Sequence, residues 1–255
     1  MERRKLIAGN WKMNGLRTDS AALVSGLLSR RAAEPDFDAD MLVCPPFTLL
    51  DRVGQRLAGS PIMLGAQDCH VDQTGAFTGD VSAAMVKDMG ASFCIVGHSE
   101  RRSGHHEANA LIQAKADAAL SVGLTAIVCV GESEPERRAG RACEVVCSQL
   151  SGSIPGGASP ETLVVAYEPI WAIGSGRIPT TAEVVEIHGR LRRCLHDVLG
   201  SSASGVRILY GGSVKPSNAR DFLVLPDVDG CLVGGASLKA DEFWAIALAS
   251  QGLPA

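Results

Sequence analysis

Short apolar runs alternate along the chain with longer segments in which apolar residues recur at helical spacing. Eight such runs occur within the 255 residues, and each is followed by a polar or glycine-containing turn. Strands without polar alternation are buried on both faces, as in a parallel sheet covered by helices. The eight predicted strands cover residues 5–11, 41–44, 62–65, 92–97, 124–130, 162–167, 206–210 and 230–233.

Two of the intervening segments carry clear helix-boundary signals. Thr180 and Glu183 have the spacing of a capping box, which predicts the start of a helix over residues 184–199. The alanine-rich segment 107–122 predicts a second helix, and Gly123 after it suits the left-handed conformation that commonly ends a helix. Strand and helix therefore alternate, which predicts an α/β fold.

Eight strand-helix units fit either a closed barrel or an open doubly wound sheet, and the periodicity does not distinguish the two. No long linker or shift in composition divides the chain, so we expect residues 1–255 to form one domain. In both architectures, ligands bind at the carboxyl ends of the parallel strands. The functional residues are therefore expected just after the apolar runs.

Composition and charge argue against several kinds of partner. The chain is 46% hydrophobic and 20% charged, which supplies enough apolar surface for a large core, and its formal net charge is -4. Because there is no overall basic field, neither nucleic acid nor an anionic membrane is expected as a partner. The first residues lack the apolar core of a signal peptide, and we expect no transmembrane segment.

The eight cysteines indicate a reducing compartment. Several of them, such as Cys94 and Cys129, lie inside the apolar runs, and no CxxC pair with zinc-like spacing occurs. Disulfide frameworks belong mostly to small secreted chains. We therefore expect buried, reduced thiols in structural roles, no metal site and a cytoplasmic location.

Polar residues and glycine pairs follow five of the predicted strands. If these strands belong to one barrel, residues far apart in sequence meet at a single rim, which packing alone does not explain. Taken singly, each has a simpler interpretation, such as a surface cap for Glu168 or a solvated rim position for Lys12. The strand-end residues are Asn10, Lys12, His98, Glu168, Ser213, Gly234 and Gly235.

Glu168 and Lys12 suit proton transfer on an anionic substrate. Glu168 lies between an apolar strand and Pro169, where partial desolvation would raise its basicity above that of a free carboxylate. A general base requires that property. Lys12 lies between Trp11 and Met13, and its positive charge would attract an anion.

Two glycine-rich turns suit phosphate binding. Gly211 and Gly212 precede Ser213 after the seventh predicted strand, and Gly234 and Gly235 follow the eighth. Successive backbone N–H groups in such turns, next to the start of a short helix, form an anion-binding cradle, which barrels often have after their last two strands. For either pair alone, a tight turn that needs a positive φ is the alternative.

The segment after Glu168 has the character of a lid. Residues 169–179 are mostly apolar and contain two glycines. Apolar side chains in a strand-to-helix loop could exclude water from a closed site, where a reactive intermediate needs protection. A loop buried between subunits is the alternative.

Six segments together resemble the triosephosphate isomerase family, and they follow one another in order over nearly the whole chain. They are residues 8–14, 75–79, 96–102, 167–174, 210–213 and 229–237. The resemblance implies a closed (β/α)8 TIM barrel of eight parallel strands with outer helices. It also implies that the protein interconverts dihydroxyacetone phosphate and glyceraldehyde 3-phosphate through an enediolate, in glycolysis and gluconeogenesis, without a cofactor.

The resemblance implies a role for each reacting group. Glu168 would remove a proton from one carbon of the substrate and return it to the next, and His98 would polarise the carbonyl as a neutral electrophile. Lys12 and Asn10 would bind the substrate and stabilise the enediolate. These roles are those of the family and do not follow from the spacing alone.

The resemblance also implies which residues bind phosphate and which support the site. Glu100 and Ser99 would support the reacting groups from behind. The phosphate would be bound by backbone N–H groups of Gly174, Gly234 and Gly235, with help from Ser213.

By the same resemblance we expect a homodimer. The loop over residues 75–79, including Thr78, would contact the neighbouring subunit near its Lys12. The partners implied are thus a small triose phosphate and a second copy of the chain.

One position departs from the family pattern, at the far end of the predicted lid. Pro179 replaces a small residue whose N–H can bond to the tyrosine of the glycine motif, Tyr210, and proline has no N–H to donate. We expect Tyr210 to hold the closed lid through another partner, such as Ser175 or water.

Two other functions stay open on the residues alone. One is a different phosphate-binding barrel, for example a sugar-phosphate aldolase that forms a Schiff base through Lys12. The other is a catalytically silent barrel that serves as a binding scaffold.

Overall fold

In the computed structural model, which describes residues 3–253, eight parallel strands close into a barrel. Each strand pairs with its neighbours in chain order, and the eighth returns to the first, with Leu6 opposite Gly230. The closed barrel is therefore confirmed and the open sheet is excluded. The strands are β1 Leu6–Asn10, β2 Asp40–Cys44, β3 Ile62–Ala66, β4 Phe93–Val96, β5 Thr125–Val130, β6 Leu163–Tyr167, β7 Arg207–Tyr210 and β8 Gly230–Val233.

Ten α-helices occur within the described residues, and most of them form the outer layer. None of the helices in residues 3–253 is long and apolar enough to cross a membrane. Residues 1–2 and 254–255 of the predicted domain lie outside the described residues. The helices are α1 Arg17–Ala33, α2 Leu50–Leu57, α3 Ala83–Asp88, α4 Ser99–Gly104, α5 Asn109–Ser121, α6 Glu134–Arg138, α7 Ala142–Ser151, α8 Thr181–Leu199, α9 Ala219–Leu223 and α10 Ala240–Leu248.

The two helix boundaries expected from the sequence are confirmed. The Thr180 hydroxyl accepts the N–H of Glu183 at 3.2 Å, and the Glu183 carboxylate accepts the N–H of Thr180 at 2.7 Å, so α8 begins with a capping box. Gly123 follows α5 with a φ of 76°, in the left-handed region. Helix α5 begins at Asn109, two residues later than predicted, because Ala108 has an extended backbone.

Two apolar layers explain why the strands lack polar alternation. Ile7 of β1 belongs to the larger cluster between the strands and the outer helices, whereas Leu6 and Ala8 belong to a second cluster. Successive side chains of a barrel strand point alternately outward and inward, so the second cluster fills the interior. Its buried members are Leu6, Ala8, Leu42, Cys44, Phe93, Ile95, Ile127, Cys129, Val164, Ala166, Leu209 and Leu232.

The expectation of eight reduced thiols is wrong at two positions. Cys147 on α7 and Cys194 on α8 form a disulfide, with their Cα atoms 6.0 Å apart. The two residues are 47 positions apart in sequence, but α7 and α8 are neighbours in the outer layer. The remaining cysteines are free, and only Cys143 among them is partly exposed.

At Gly230, the first residue of the closing strand β8, the backbone of β1 leaves no room for a side chain. The φ of Gly230 is 146°, and a Cβ there would lie 1.9 Å from the carbonyl oxygen of Leu6. We expect Gly230→Ala to lower the free energy of unfolding by roughly 2 kcal/mol or more, because the backbone of β1 or β8 must shift. Urea denaturation at a fixed protein concentration measures this change.

The matched control for that substitution is Gly156→Ala. A Cβ at Gly156 would meet nothing within 4 Å, and its φ is not in the left-handed region. This control should unfold close to the wild-type midpoint. If the Gly230 and Gly156 variants were equally stable, the close approach of β8 to β1 would not limit barrel closure.

Candidate active site

A cavity of about 770 Å³ opens at the carboxyl ends of the strands. It gathers residues that follow five different strands, as the sequence predicted. Two further predicted residues, Ser99 and Glu100, come directly after His98 and bond to groups that line the cavity. The predicted residues that line it are Asn10, Lys12, His98, Glu168, Gly174, Ser213, Gly234 and Gly235.

Glu168 is buried immediately after β6, with 1% of its surface exposed. One carboxylate oxygen, Oε2, accepts the backbone N–H of Ser99 at 2.9 Å, and the other, Oε1, accepts the Ser99 hydroxyl at 3.2 Å. Oε1 also lies 2.8 Å from Nε2 of His98. The carboxylate is therefore held by groups at the end of β4.

His98 caps the first turn of α4 and presents one ring nitrogen to the cavity. Its Nδ1 accepts the backbone N–H of Glu100 at 3.3 Å, so Nδ1 carries no proton in this arrangement. The other nitrogen, Nε2, then donates to Glu168. This hydrogen bond therefore favours, for the neutral ring, the tautomer whose proton lies on Nε2, on the cavity side.

Glu168 and His98 each change the pKa of the other. Burial would raise the pKa of Glu168, but the charge and hydrogen bond of His98 and the N–H of Ser99 lower it below its usual range. Burial would lower the pKa of His98, but the charge and hydrogen bond of Glu168 raise it above its usual value. The prediction that burial makes Glu168 more basic is therefore wrong for this structure. The position of Glu168 between a strand and Pro169 did not show that His98 and Ser99 would stabilise its charged form.

Lys12 reaches the cavity from a strained backbone two residues beyond β1. Its φ is 53°, a left-handed conformation that is uncommon outside glycine. The conformation is held by Asn10, whose Oδ1 accepts the N–H of Lys12 at 2.9 Å, and by Gln67, which donates to the Lys12 carbonyl at 2.9 Å. The ammonium pairs with Glu100 at 2.5 Å.

The glycine turns after β7 and β8 form another wall of the cavity. A Cβ on Gly234 would lie 3.4 Å from Cε of Lys12, so this turn and the ammonium are adjacent. Gly235 begins a short 3-10 segment, Gly235–Leu238, and a Cβ on it would meet open space. An anion at this wall would lie between bare backbone and a positive charge.

The predicted lid segment is attached to the loop after β5 and to the first residue of α6. The indole N–H of Trp171 donates to the buried Glu132 at 2.8 Å. Arg177 donates to both carboxylate oxygens of Glu134, at 2.8 and 2.9 Å, and to the carbonyl of Trp171 at 2.9 Å. Residues 174–178 are exposed, whereas the two prolines that bound the segment are buried.

Tyr210, expected to hold the lid, makes no such bond in this structure. Its hydroxyl is buried and has no hydrogen-bond partner within residues 3–253. Ser175, one partner proposed for it, donates instead to the carbonyl of Trp171 at 2.9 Å. A hydrogen bond from Tyr210 that holds the closed lid, called the latch below, stays a prediction.

Two residues near Glu168 were not found from the sequence. Gly131 follows β5, and a Cβ on it would lie 1.8 Å from the carbonyl oxygen of Glu168. Arg102 donates to the carbonyls of Gly97 and Cys129, each at 2.9 Å, and so ties the ends of β4 and β5 together. Gly131 follows a strand as the other site glycines do, whereas Arg102 lies in the family-like segment 96–102, but nothing in the sequence assigned it a role at the site.

The arrangement can transfer a proton on a small anionic substrate. A buried carboxylate and an imidazole face the same cavity as an ammonium and two turns of bare backbone. Within the part of the chain that the structure describes, no three His, Cys, Asp or Glu side chains cluster as a metal site.

Comparisons with known proteins agree with this geometry. The family model described as triosephosphate isomerase matches residues 5–250. The triosephosphate isomerase of Xanthobacter flavus is 54% identical over 248 residues, 97% of this chain and 98% of that protein. That of Rhodopseudomonas palustris (strain BisA53) is 54% identical over 246 residues, 96% of each chain. A crystal structure of triosephosphate isomerase from Bartonella henselae superposes with a TM-score of 0.87 at 45% identity, covering 96% of this chain and 98% of that one.

Proposed function

The chain belongs to the triosephosphate isomerase family, and on this basis we propose how its cavity interconverts dihydroxyacetone phosphate and glyceraldehyde 3-phosphate, a step of glycolysis. The family match and the curated relatives support this isomerase activity. They do not favour a Schiff-base aldolase or a silent scaffold. The observation that supports the residue roles is that Glu168, His98 and Lys12 line one cavity with the two glycine turns.

Glu168 is the base. Its carboxylate removes a proton from the carbon next to the carbonyl, and the electrons of that C–H bond move onto the carbonyl to give an enediolate. Glu168 then returns the proton to the neighbouring carbon, while the proton of the substrate hydroxyl passes to the former carbonyl oxygen, so no external acid or base is consumed. To reach the substrate, the carboxylate must leave the Ser99 N–H and hydroxyl that hold it at rest.

His98 is the electrophile. Its Nε2–H points at the cavity and donates to the substrate carbonyl oxygen, which acidifies the adjacent C–H bond. When Glu168 turns toward the substrate, His98 loses the negative charge that raises its pKa. Burial and the Glu100 N–H at Nδ1 then favour the neutral ring.

Lys12 and Asn10 bind the substrate and stabilise the enediolate. The ammonium of Lys12 is paired with Glu100 at rest, and an anionic substrate competes for it. Asn10 supports Lys12 by accepting its backbone N–H. An ammonium in a cavity that excludes water stabilises negative charge that develops on the substrate oxygens far more than it would in water.

The phosphate binds on the wall formed by the turns after β7 and β8, through Ser213 and the N–H groups of Gly234 and Gly235. Gly174 of the lid also lines the cavity, so closure of residues 169–179 adds its N–H to the same phosphate. A closed lid excludes water, and this strengthens each electrostatic contact inside and protects the enediolate.

Replacing the base tests the proton-transfer role. Glu168→Gln keeps the size of the side chain but cannot accept a proton, so we expect kcat to fall by at least roughly 10² to 10⁴, the usual contribution of general acid-base catalysis. A coupled assay measures the rate. Glu161→Gln, at an exposed site before β6, is the control and should keep wild-type turnover. A Glu168→Gln variant within tenfold of wild type would remove the assignment.

Removing the Tyr210 hydroxyl tests the latch. Pro179 cannot donate to it, so we propose that the closed lid bonds to this hydroxyl through Ser175 or water. One hydrogen bond contributes about 1 kcal/mol, and Tyr210→Phe should therefore lower turnover or phosphate affinity by roughly fivefold. Steady-state kinetics with inorganic phosphate as inhibitor measures both. No change in either quantity would reject any latch through Tyr210.

We also propose that the active form is a homodimer. Exposed apolar side chains support it, because water-exposed patches of this kind commonly mark interfaces. Met13 and Leu16, just after Lys12, are 96% and 74% exposed, and Phe77 in the 75–79 loop is 43% exposed. In the dimer, that loop with its Thr78 packs beside the partner's Lys12 region and braces its strained backbone.

A charge introduced at this surface tests the assembly. Met13→Glu should convert a dimer into a monomer at micromolar concentration and lower kcat, because the Lys12 region loses its support. Light scattering gives the mass. Val224→Glu, at a site 51% exposed after α9, is the control and should stay dimeric. A wild-type monomer, or a dimer unaffected by Met13→Glu, would contradict the proposed interface.

Two broader proposals complete the assignment. Residues 1–255 form one domain, which the closure of all eight strands into one barrel supports. The protein works in the cytoplasm without nucleic-acid or membrane partners, which is supported by a phosphorylated substrate that does not cross membranes unaided.

A further inference from the structure

The disulfide between Cys147 and Cys194 joins two helices of the outer layer, away from the cavity. Their Cα separation of 6.0 Å lies within the usual range for a disulfide. Cys194 is buried, Cys147 is partly buried, and both pack against the larger apolar cluster. Packing of α7 against α8 therefore brings the two sulfur atoms together without any contribution from the residues of the active site.

The segment between the two cysteines contains much of the catalytic machinery. The 47-residue separation encloses β6, Glu168, the whole lid segment 169–179 and the first three turns of α8. The lid ends at Pro179, directly before Thr180, the residue that caps α8. A disulfide between α7 and α8 therefore fixes the position of the helix that directly follows the lid.

We propose that Cys147 and Cys194 form a reversible redox staple that stabilises the segment carrying the base and the lid and leaves the chemistry of the cavity unchanged. The covalent link restricts the unfolded chain and stops α8 from separating from α7 during local opening. It lies on the outside of the barrel, and neither cysteine lines the cavity. The staple therefore increases the resistance of the folded enzyme to unfolding and proteolysis.

The oxidant is a small disulfide of the glutathione type. The Cys147 thiolate attacks one sulfur of that disulfide and releases one small thiol, which takes up the proton. The Cys194 thiolate then attacks the Cys147 side of the mixed disulfide and releases the second small thiol. Two protein thiols are oxidised, and one small disulfide is reduced to two thiols. A small dithiol reduces the protein disulfide again and is itself oxidised to a cyclic disulfide.

Exposure and packing decide which cysteine reacts first. Cys147 is the more exposed of the pair, so the external disulfide reaches it, and the buried Cys194 resolves the mixed disulfide. Cys143 lies one helical turn before Cys147 on α7 and is also partly exposed, but its Sγ lies 3.9 Å from Glu186. Burial and this carboxylate raise the pKa of the Cys143 thiol, which leaves it less reactive.

The test compares the same wild-type protein after oxidised glutathione and after a phosphine reductant. Thiol titration of the denatured chain should give six thiols after oxidation, since two of the eight cysteines are bonded, and eight after reduction. Reduction should lower the melting temperature by roughly 5–15 °C at fixed protein concentration. It should also speed proteolysis within residues 148–193, while kcat and KM stay within about twofold.

Single substitutions separate this staple from any general effect of reductant. Cys147→Ser and Cys194→Ser should each melt like the reduced wild type and no longer respond to reductant. Cys143→Ser, on the same helix, should keep the full response. Eight thiols after oxidation, equal melting temperatures of the two wild-type forms, or a loss of turnover on reduction beyond tenfold would each overturn the proposal.

Discussion

The N–H of Leu6 donates to the carbonyl of Asp229 at 2.9 Å, where the chain enters its last strand beside its first. Pairing of β8 with β1 closes the barrel, and Gly230 permits the close approach of the two backbones. Closure brings the carboxyl ends of all eight strands to one rim. An open sheet built from the same strands would keep β1 and β8 apart, and Lys12 would no longer lie against Gly234.

At that rim, the charged groups that would act on the substrate are already bonded to partners within the resting protein. Glu168 is held by Ser99 and His98, and the ammonium of Lys12 is held by Glu100. A buried carboxylate without such partners would be costly, so the resting contacts stabilise the fold and also oppose catalysis. The substrate must replace them, and the energy of phosphate binding and lid closure is available for that exchange.

Local signals made much of the fold predictable. The eight apolar runs and the Thr180–Glu183 capping box are short-range patterns, and the structure has them where expected. Periodicity could not choose the barrel, because both architectures bury their strands on two faces. The disulfide and the lowered pKa of Glu168 were missed for one reason, which is that their contacts have no local pattern. Cys194 is 47 positions from Cys147, and the groups that lower the pKa of Glu168, His98 first and then Ser99, lie about 70 positions before it.

The central claim is that these distant groups act together on one small phosphate ester. A crystal structure of the protein with a bound three-carbon phosphate that mimics the enediolate tests it most directly. The account predicts that the Glu168 carboxylate has left Ser99 and lies about 3 Å from the reacting carbons. It also predicts His98 Nε2 and Lys12 at the oxygens, and the phosphate against Gly174, Ser213, Gly234 and Gly235. A carboxylate still bonded to Ser99, or a phosphate bound elsewhere, would contradict it.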